Sequence, residues 1–142
     1  MDILFKKIHP LAKIPQYATA GSAGMDVSSV EEVELNPGEV KAVCLGFAVS
    51  IQQGYELQVR PRSGLSLNNK ISVLNTPGTI DSDFCGECKV ILMNFGKEKF
   101  IINPGYRIAQ LVLNRVEQAN FKEVAELPET ARGISGFGST GV

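Results

Sequence analysis

Four segments of this chain gather residue types that could bind and cleave a phosphorylated molecule. Ala23-Gly24-Met25-Asp26 sets a carboxylate beside a glycine. Pro61-Arg62-Ser63-Gly64-Leu65-Ser66 offers a guanidinium, two hydroxyls and a backbone opened by Gly64, which are the parts of an anion site. Thr76-Pro77-Gly78-Thr79-Ile80-Asp81-Ser82-Asp83-Phe84 brings two carboxylates and an aromatic ring to an expected hairpin. Residues 132–141 carry Arg132, Phe137, Ser139 and Thr140 among Gly133, Gly136, Gly138 and Gly141. Glycine loses much entropy on ordering and has little to bury, so this last segment reads as a mobile arm. Its cation, ring and hydroxyls suit an arm that folds over a phosphorylated ligand. Taken singly, each segment has an ordinary explanation. An Arg-Ser-Gly trio is more often a turn than a phosphate site, Asp81 and Asp83 can be turn caps, and chain ends commonly fray.

Other chemistries are poorly supplied. The three cysteines, Cys44, Cys85 and Cys88, are too few and odd in number for a disulfide framework. Cys85-Gly86-Glu87-Cys88 has the C-x-x-C spacing, but the segment reads as a strand, where side chains three apart point to opposite faces. There is no second C-x-x-C, and the single histidine, His9, is remote in sequence and reads as a surface residue rather than a ligand. No Walker A sequence and no G-x-S-x-G is present, which argues against a P-loop nucleotidase and a Ser-His-Asp hydrolase. The formal net charge of −1 argues against a broad basic surface, so neither nucleic acid nor membrane is an expected partner. No signal-peptide core and no run of membrane-spanning length occurs. A cytoplasmic protein is expected, with a nuclear pool open if the source is eukaryotic or viral.

The elements that must position these groups are strands. Tyr55-Glu56-Leu57-Gln58-Val59-Arg60 alternates apolar and polar without a break, and Val33-Glu34-Leu35-Asn36 does the same. Residues 43–51, 90–95, 100–102 and 108–116 are β-branched or apolar runs fit for buried strands. Turn signals separate them at Asn36-Pro37-Gly38, Gln53-Gly54, Thr76-Pro77-Gly78 and Asn103-Pro104-Gly105. One short helix is expected over residues 63–69. At 142 residues, many short strands divided by Gly and Pro turns predict one all-β domain, a sandwich or barrel.

Read in order, the chemical segments resemble the five motifs of the trimeric dUTP pyrophosphatase (dUTPase) family. The first three are Ala23-Gly24-Met25-Asp26, Pro61-Arg62-Ser63-Gly64-Leu65-Ser66 and Gly78-Thr79-Ile80-Asp81-Ser82-Asp83-Phe84-Cys85-Gly86. Gly105-Tyr106-Arg107-Ile108-Ala109-Gln110-Leu111 resembles the fourth, and residues 132–141 the fifth. The chain departs from the family pattern at three places. Phe84 stands where tyrosine is usual, Ser135 where glycine is usual, and Tyr106 where an acidic residue is common. Phe84 keeps the ring and loses only a hydroxyl, and Ser135 restricts the arm's backbone. We have no physical account of Tyr106.

The resemblance implies a distorted, jelly-roll-like β-barrel over residues 1–131, with an arm at 132–142 that closes over the active site. It implies a homotrimer with shared sites: the first, second and fourth motifs from one chain, the third from a neighbour, the arm from the remaining subunit. It further implies hydrolysis of dUTP to dUMP and pyrophosphate by water attack on the α-phosphorus, which keeps uracil out of DNA and supplies dUMP for thymidylate synthesis. Asp81 would orient and deprotonate the water. Ser63, Gly64 and Gln110 would hold the phosphates. Arg62 would anchor the site through Asp26 or touch a phosphate directly. Arg132, Gly138, Ser139 and Thr140 would clamp the phosphates from the arm, with Phe137 over the uracil. Asn75, Gly78, Thr79 and Ile80 would face uracil and sugar, and Phe84 beneath the deoxyribose would exclude a 2′-hydroxyl. Mg²⁺ would be held by the substrate's phosphates, with Asp26 touching its water shell. Rival expectations are a dCTP deaminase of the same fold, a family member recruited to regulate a partner, and a purely structural β-sandwich.

Overall fold

The computed structural model describes residues 1–136. Strands follow the sequence period closely. They are β1 Leu4–Lys7, β2 Gln16–Tyr17, β3 Gly24–Ser28, β4 Val33–Leu35, β5 Val40–Cys44, β6 Phe47–Ser50 and β7 Tyr55–Arg60. Then come α1 Ser63–Asn69, β8 Ile71–Val73, β9 Gly78–Ile80, β10 Lys89–Asn94, β11 Phe100–Ile102 and β12 Arg107–Arg115. The expected all-β class with one short helix is what the described residues form. In β7 the alternation sends Leu57 and Val59 into the core and leaves Glu56, Gln58 and Arg60 half-buried on the other face.

Every pairing is antiparallel. The largest sheet runs β2-β3-β12-β7-β9, a second runs β5-β10-β8, and two ribbons pair β1 with β6 and β4 with β11. Their apolar faces meet in one core that includes Leu35, Val43, Phe47, Leu57, Ile71 and Leu111. The fully buried Asn94 is satisfied: its amide donates to the carbonyls of Leu35 (2.9 Å) and Glu98 (2.8 Å), and its oxygen accepts from Gly96 N–H (2.8 Å).

Three expectations are corrected. The apolar run over residues 43–51 is not one strand. It breaks at Gly46, whose φ of +71° is left-handed, and a Cβ there would come within 2.7 Å of His9 Cβ and 2.8 Å of Val30 Cγ1. The Cys85-Gly86-Glu87-Cys88 segment is a bend rather than a strand, although Cys85 is exposed and Cys88 buried, as alternation also required. Residues 76–84 do not close a hairpin. Strand β8 pairs with β10 while β9 pairs with β7, so the turn between them crosses from one sheet to another. His9 is half-buried and local in role, its Nδ1 accepting from Leu11 N–H at 3.2 Å.

Candidate active site

The register of β9 on β7 (Leu57 opposite Ile80, Gln58 opposite Thr79, Val59 opposite Gly78) sets one wall of a cleft of about 390 Å³. Six residues picked out in the sequence line it together: Asn75, Gly78, Thr79, Ile80, Asp81 and Phe84. Gly78 is buried, and a side chain there would press on Asn75 Nδ2 and Val59 Cβ, each 3.2 Å from an added Cβ. Phe84 remains 45% exposed, so its ring is available to a ligand. A turn holds it beside the carboxylate, with Phe84 N–H donating to the Asp81 carbonyl at 3.2 Å. The ring also lies over Gly86, where an added Cβ would meet Cζ at 2.7 Å. The opposite wall comes from the second sheet: Ala42 of β5 with Lys89 and Ile91 of β10, and Glu87 before them. These four were not legible from sequence, because the pairing of Ala42 with Ile91 joins residues 49 positions apart.

A second group forms on the outer face of the large sheet. Asp26 of β3 lies directly opposite Gln110 of β12, which lies opposite Arg60 of β7. Arg62, the residue capping the start of α1, donates from Nε to Asp26 Oδ1 at 2.9 Å. Arg107 donates from Nη1 to Asp26 Oδ2 at 3.0 Å, and Arg62 Nη1 donates to the Arg107 carbonyl at 3.3 Å. Gln110 Nε2 donates to the Pro61 carbonyl at 2.9 Å, and any methyl on Gly24 would collide with Gln110 Oε1. Ser63 and Gly64 open α1 in exposed positions, with no side chain capping that helix end and open space around Gly64. The structure therefore gathers Asp26, Arg62 and Gln110 around the residues just before and at the start of α1.

The two groups do not share a cleft within one chain. Asp81 follows Ile80 and so stands level with Glu56, at one end of β7, while Arg62 follows its other end. The four residue steps of β7 from Glu56 to Arg60 alone span about 13 Å at ~3.3 Å per residue. Asp81 also borders a larger cleft of about 730 Å³, but its lining of Gln53, Tyr55, Glu56, Asp81, Asp83 and Gln118 with neighbouring apolar and small residues contains no cation.

Arg132 lies in a turn and donates from Nε to the Ser135 carbonyl at 2.8 Å. Phe137, Gly138, Ser139 and Thr140 lie outside the described residues. The cysteines are free; burial pushes the Cys88 thiol up to about 11 and also raises that of Cys44.

Comparison with known proteins matches residues 11–141 to the dUTPase family. A deoxyuridine 5′-triphosphate nucleotidohydrolase of Wolinella succinogenes is 55% identical over 141 residues, covering 99% of this chain and 95% of that protein. One from Helicobacter pylori strain P12 is 52% identical over 142 residues, covering 100% of this chain and 98% of that protein. Among solved structures, a Staphylococcus bacteriophage 80alpha dUTPase with dUPNHPP superposes with a TM-score of 0.91 at 28% identity, covering 99% of each chain. The strand order, the cleft residues and this full-length similarity agree: the chain belongs to the dUTPase family.

Proposed function

We propose that this protein hydrolyses dUTP to dUMP and pyrophosphate as a homotrimer whose active sites are shared between subunits. One observation carries the reading: Asn75, Gly78, Thr79, Ile80, Asp81 and Phe84 line a single cleft of nucleoside size. The likeness to a relative solved with dUPNHPP supports the same substrate. Backbone groups of Gly78 and Thr79, with the Asn75 amide, pair with the polar edge of uracil. Cytosine reverses two of those donor and acceptor positions and would leave buried polar groups unpaired. Ile80 packs beside the base, and Phe84 lies under the sugar, leaving no room for a 2′-hydroxyl.

Asp81 orients the attacking water and takes its proton, a role that requires only hydrogen-bond reach. The water attacks the α-phosphorus and pyrophosphate departs. Charge spreads over phosphate oxygens as it does so, so fixed N–H donors and cations supply most of the stabilisation. Ser63, Gly64 and Gln110 hold the phosphates. Arg62 has committed two of its five N–H groups to Asp26 and the Arg107 carbonyl and can offer others to a phosphate. Arg132, Gly138, Ser139 and Thr140 close over the phosphates from the arm at 132–142, beyond the barrel of residues 1–131, with Phe137 over the base.

Among the described residues no cluster of three or more His, Cys, Asp or Glu side chains could hold a metal. Each Asp26 oxygen already accepts from a guanidinium, which leaves lone pairs for water but no place for a bare ion. The donor set therefore fits Mg²⁺ carried on the substrate's phosphates, with Asp26 touching its water shell. Bound there, Mg²⁺ would neutralise charge on the phosphate oxygens.

Sharing between subunits is in keeping with the placement of Asp81 and Arg62 towards opposite ends of β7, in separate clefts. The fully exposed Phe121 and Ile134 and the largely exposed Leu127 support the same reading, because their own protomer leaves them uncovered. No described helix is long and apolar enough to cross a membrane, and our reading places the protein in the cytoplasm. The test is incubation with dUTP, dCTP, UTP or dTTP and Mg²⁺. Pyrophosphate from dUTP alone, without ammonia, is the expected result. Ammonia released from dCTP would replace this reading with a deaminase.

A further inference from the structure

In a regular strand, residues three apart face opposite sides. Arg107 and Gln110 are three apart, yet both meet the same Asp26 face. Arg107 pairs with Ser28 and Gln110 with Asp26, so two steps along β3 are matched by three along β12. The register shift between Arg107 and Ala109 absorbs the extra residue, with Ile108 and Ala109 both turned into the core. Without this bulge Arg107 would leave the Asp26 face.

We infer that Arg107 is a positioning residue of this active site. It holds Asp26 from the β12 side and, through Asp26, holds Arg62, which keeps Ser63 and Gly64 set for the substrate's phosphates. The three residues form a closed ring: Arg62 Nε to Asp26 Oδ1, Arg107 Nη1 to Asp26 Oδ2, and Arg62 Nη1 to the Arg107 carbonyl. The ring ties β3 and β12 to the residue just before α1. It also fixes the local charge. Arg62 and Asp26 alone would cancel, whereas two guanidiniums on one carboxylate leave one positive charge in excess beside the phosphate-binding residues. The Arg107 side chain is 60% exposed, against 28% for Arg62 and 29% for Asp26. A pair so open to solvent contributes little to folding stability, so its loss should be read in substrate binding rather than in the fold.

The inference rests on the dUTP reading, and wild-type turnover is measured first. A wild type that releases no pyrophosphate from dUTP sinks that reading; an active wild type indistinguishable from Arg107→Gln sinks this one. Arg107→Gln should raise KM for dUTP about tenfold, as expected for losing a charge-assisted bond that orders the site. Inhibition by dUMP, which lacks the β- and γ-phosphates, should change less than about twofold. Equal weakening of dUTP and dUMP would indicate general damage and overturn the assignment. Because the Arg107 contact is made by a single nitrogen, Arg107→Lys can reproduce it and should bring KM back to within about threefold of wild type. A lysine variant as impaired as the glutamine variant would overturn the charge argument. Asp26→Asn combined with Arg107→Gln should cost little more than the worse single change, since one acts through the other. Additive losses would mean that Arg107 meets the phosphates by itself, and the positioning role would be wrong.

Discussion

The ring of Phe84 lies against Gly86, two residues further on, so closely that an added Cβ would come 2.7 Å from Cζ and 2.9 Å from Cε2. Gly86 is thus the floor on which the Phe84 ring, proposed to lie under the sugar, rests. Gly86→Ala must lift or tilt the ring into the cleft. We expect the dUTP to UTP ratio of kcat/KM to fall by about tenfold, towards that of Phe84→Ala, through lost shape exclusion. Steady-state kinetics on both substrates decide it, and an unaltered ratio would detach Phe84 from sugar selection.

Asp81→Asn keeps the shape of the cleft and removes the proposed base. Binding of dUTP should stay within a few-fold of wild type while kcat drops by about 10²–10⁴. Near-normal turnover would exclude Asp81 from proton transfer.

Cys85 and Cys88 should react very differently despite their spacing. The thiolate is the reactive form, and burial pushes Cys88 up to about 11 while Cys85 is exposed. At pH 8, iodoacetamide should modify Cys85 at least about 10²-fold faster than Cys88 in the native protein. Peptide mass spectrometry reads this directly; comparable rates would show that the Cys88 side of the bend opens in solution.

Subunit sharing is testable by mixing two inactive proteins. One carries Asp81→Asn and the other ends at Ala131. Unfolded together in equal amounts and refolded, random trimers place an intact Asp81 and an intact arm at the same site in about one quarter of sites. Activity per site should rise from near zero towards that fraction. Mixed trimers, verified by native mass spectrometry, that stay inactive would mean that one chain supplies both groups.

Much of this protein is legible in its local chemistry. The alternation at residues 55–60 becomes β7, because period-2 patterning records which face of a strand meets the core. The short helix at Ser63–Asn69 and the strand at Phe100–Ile102 fall where residue type and turn signals place them. The resemblance to the dUTPase motifs also names residues that the fold brings into one cleft, Asn75, Gly78, Thr79, Ile80, Asp81 and Phe84. Partners and faces are another matter. Residues 76–84 resemble a hairpin because the turn chemistry is local, but β8 and β9 bond to β10 and β7, and no local signal encodes a distant partner. Ala42 and Ile91 reach the cleft only through a pairing between strands far apart in the chain. Arg107 is the sharpest case. Its spacing from Gln110 assigns it to the opposite face, and a single bulge reverses that assignment. A bulge is settled by how two strands must register to bury Ile108 and Ala109 together, and that requirement exists only once the sheet has formed.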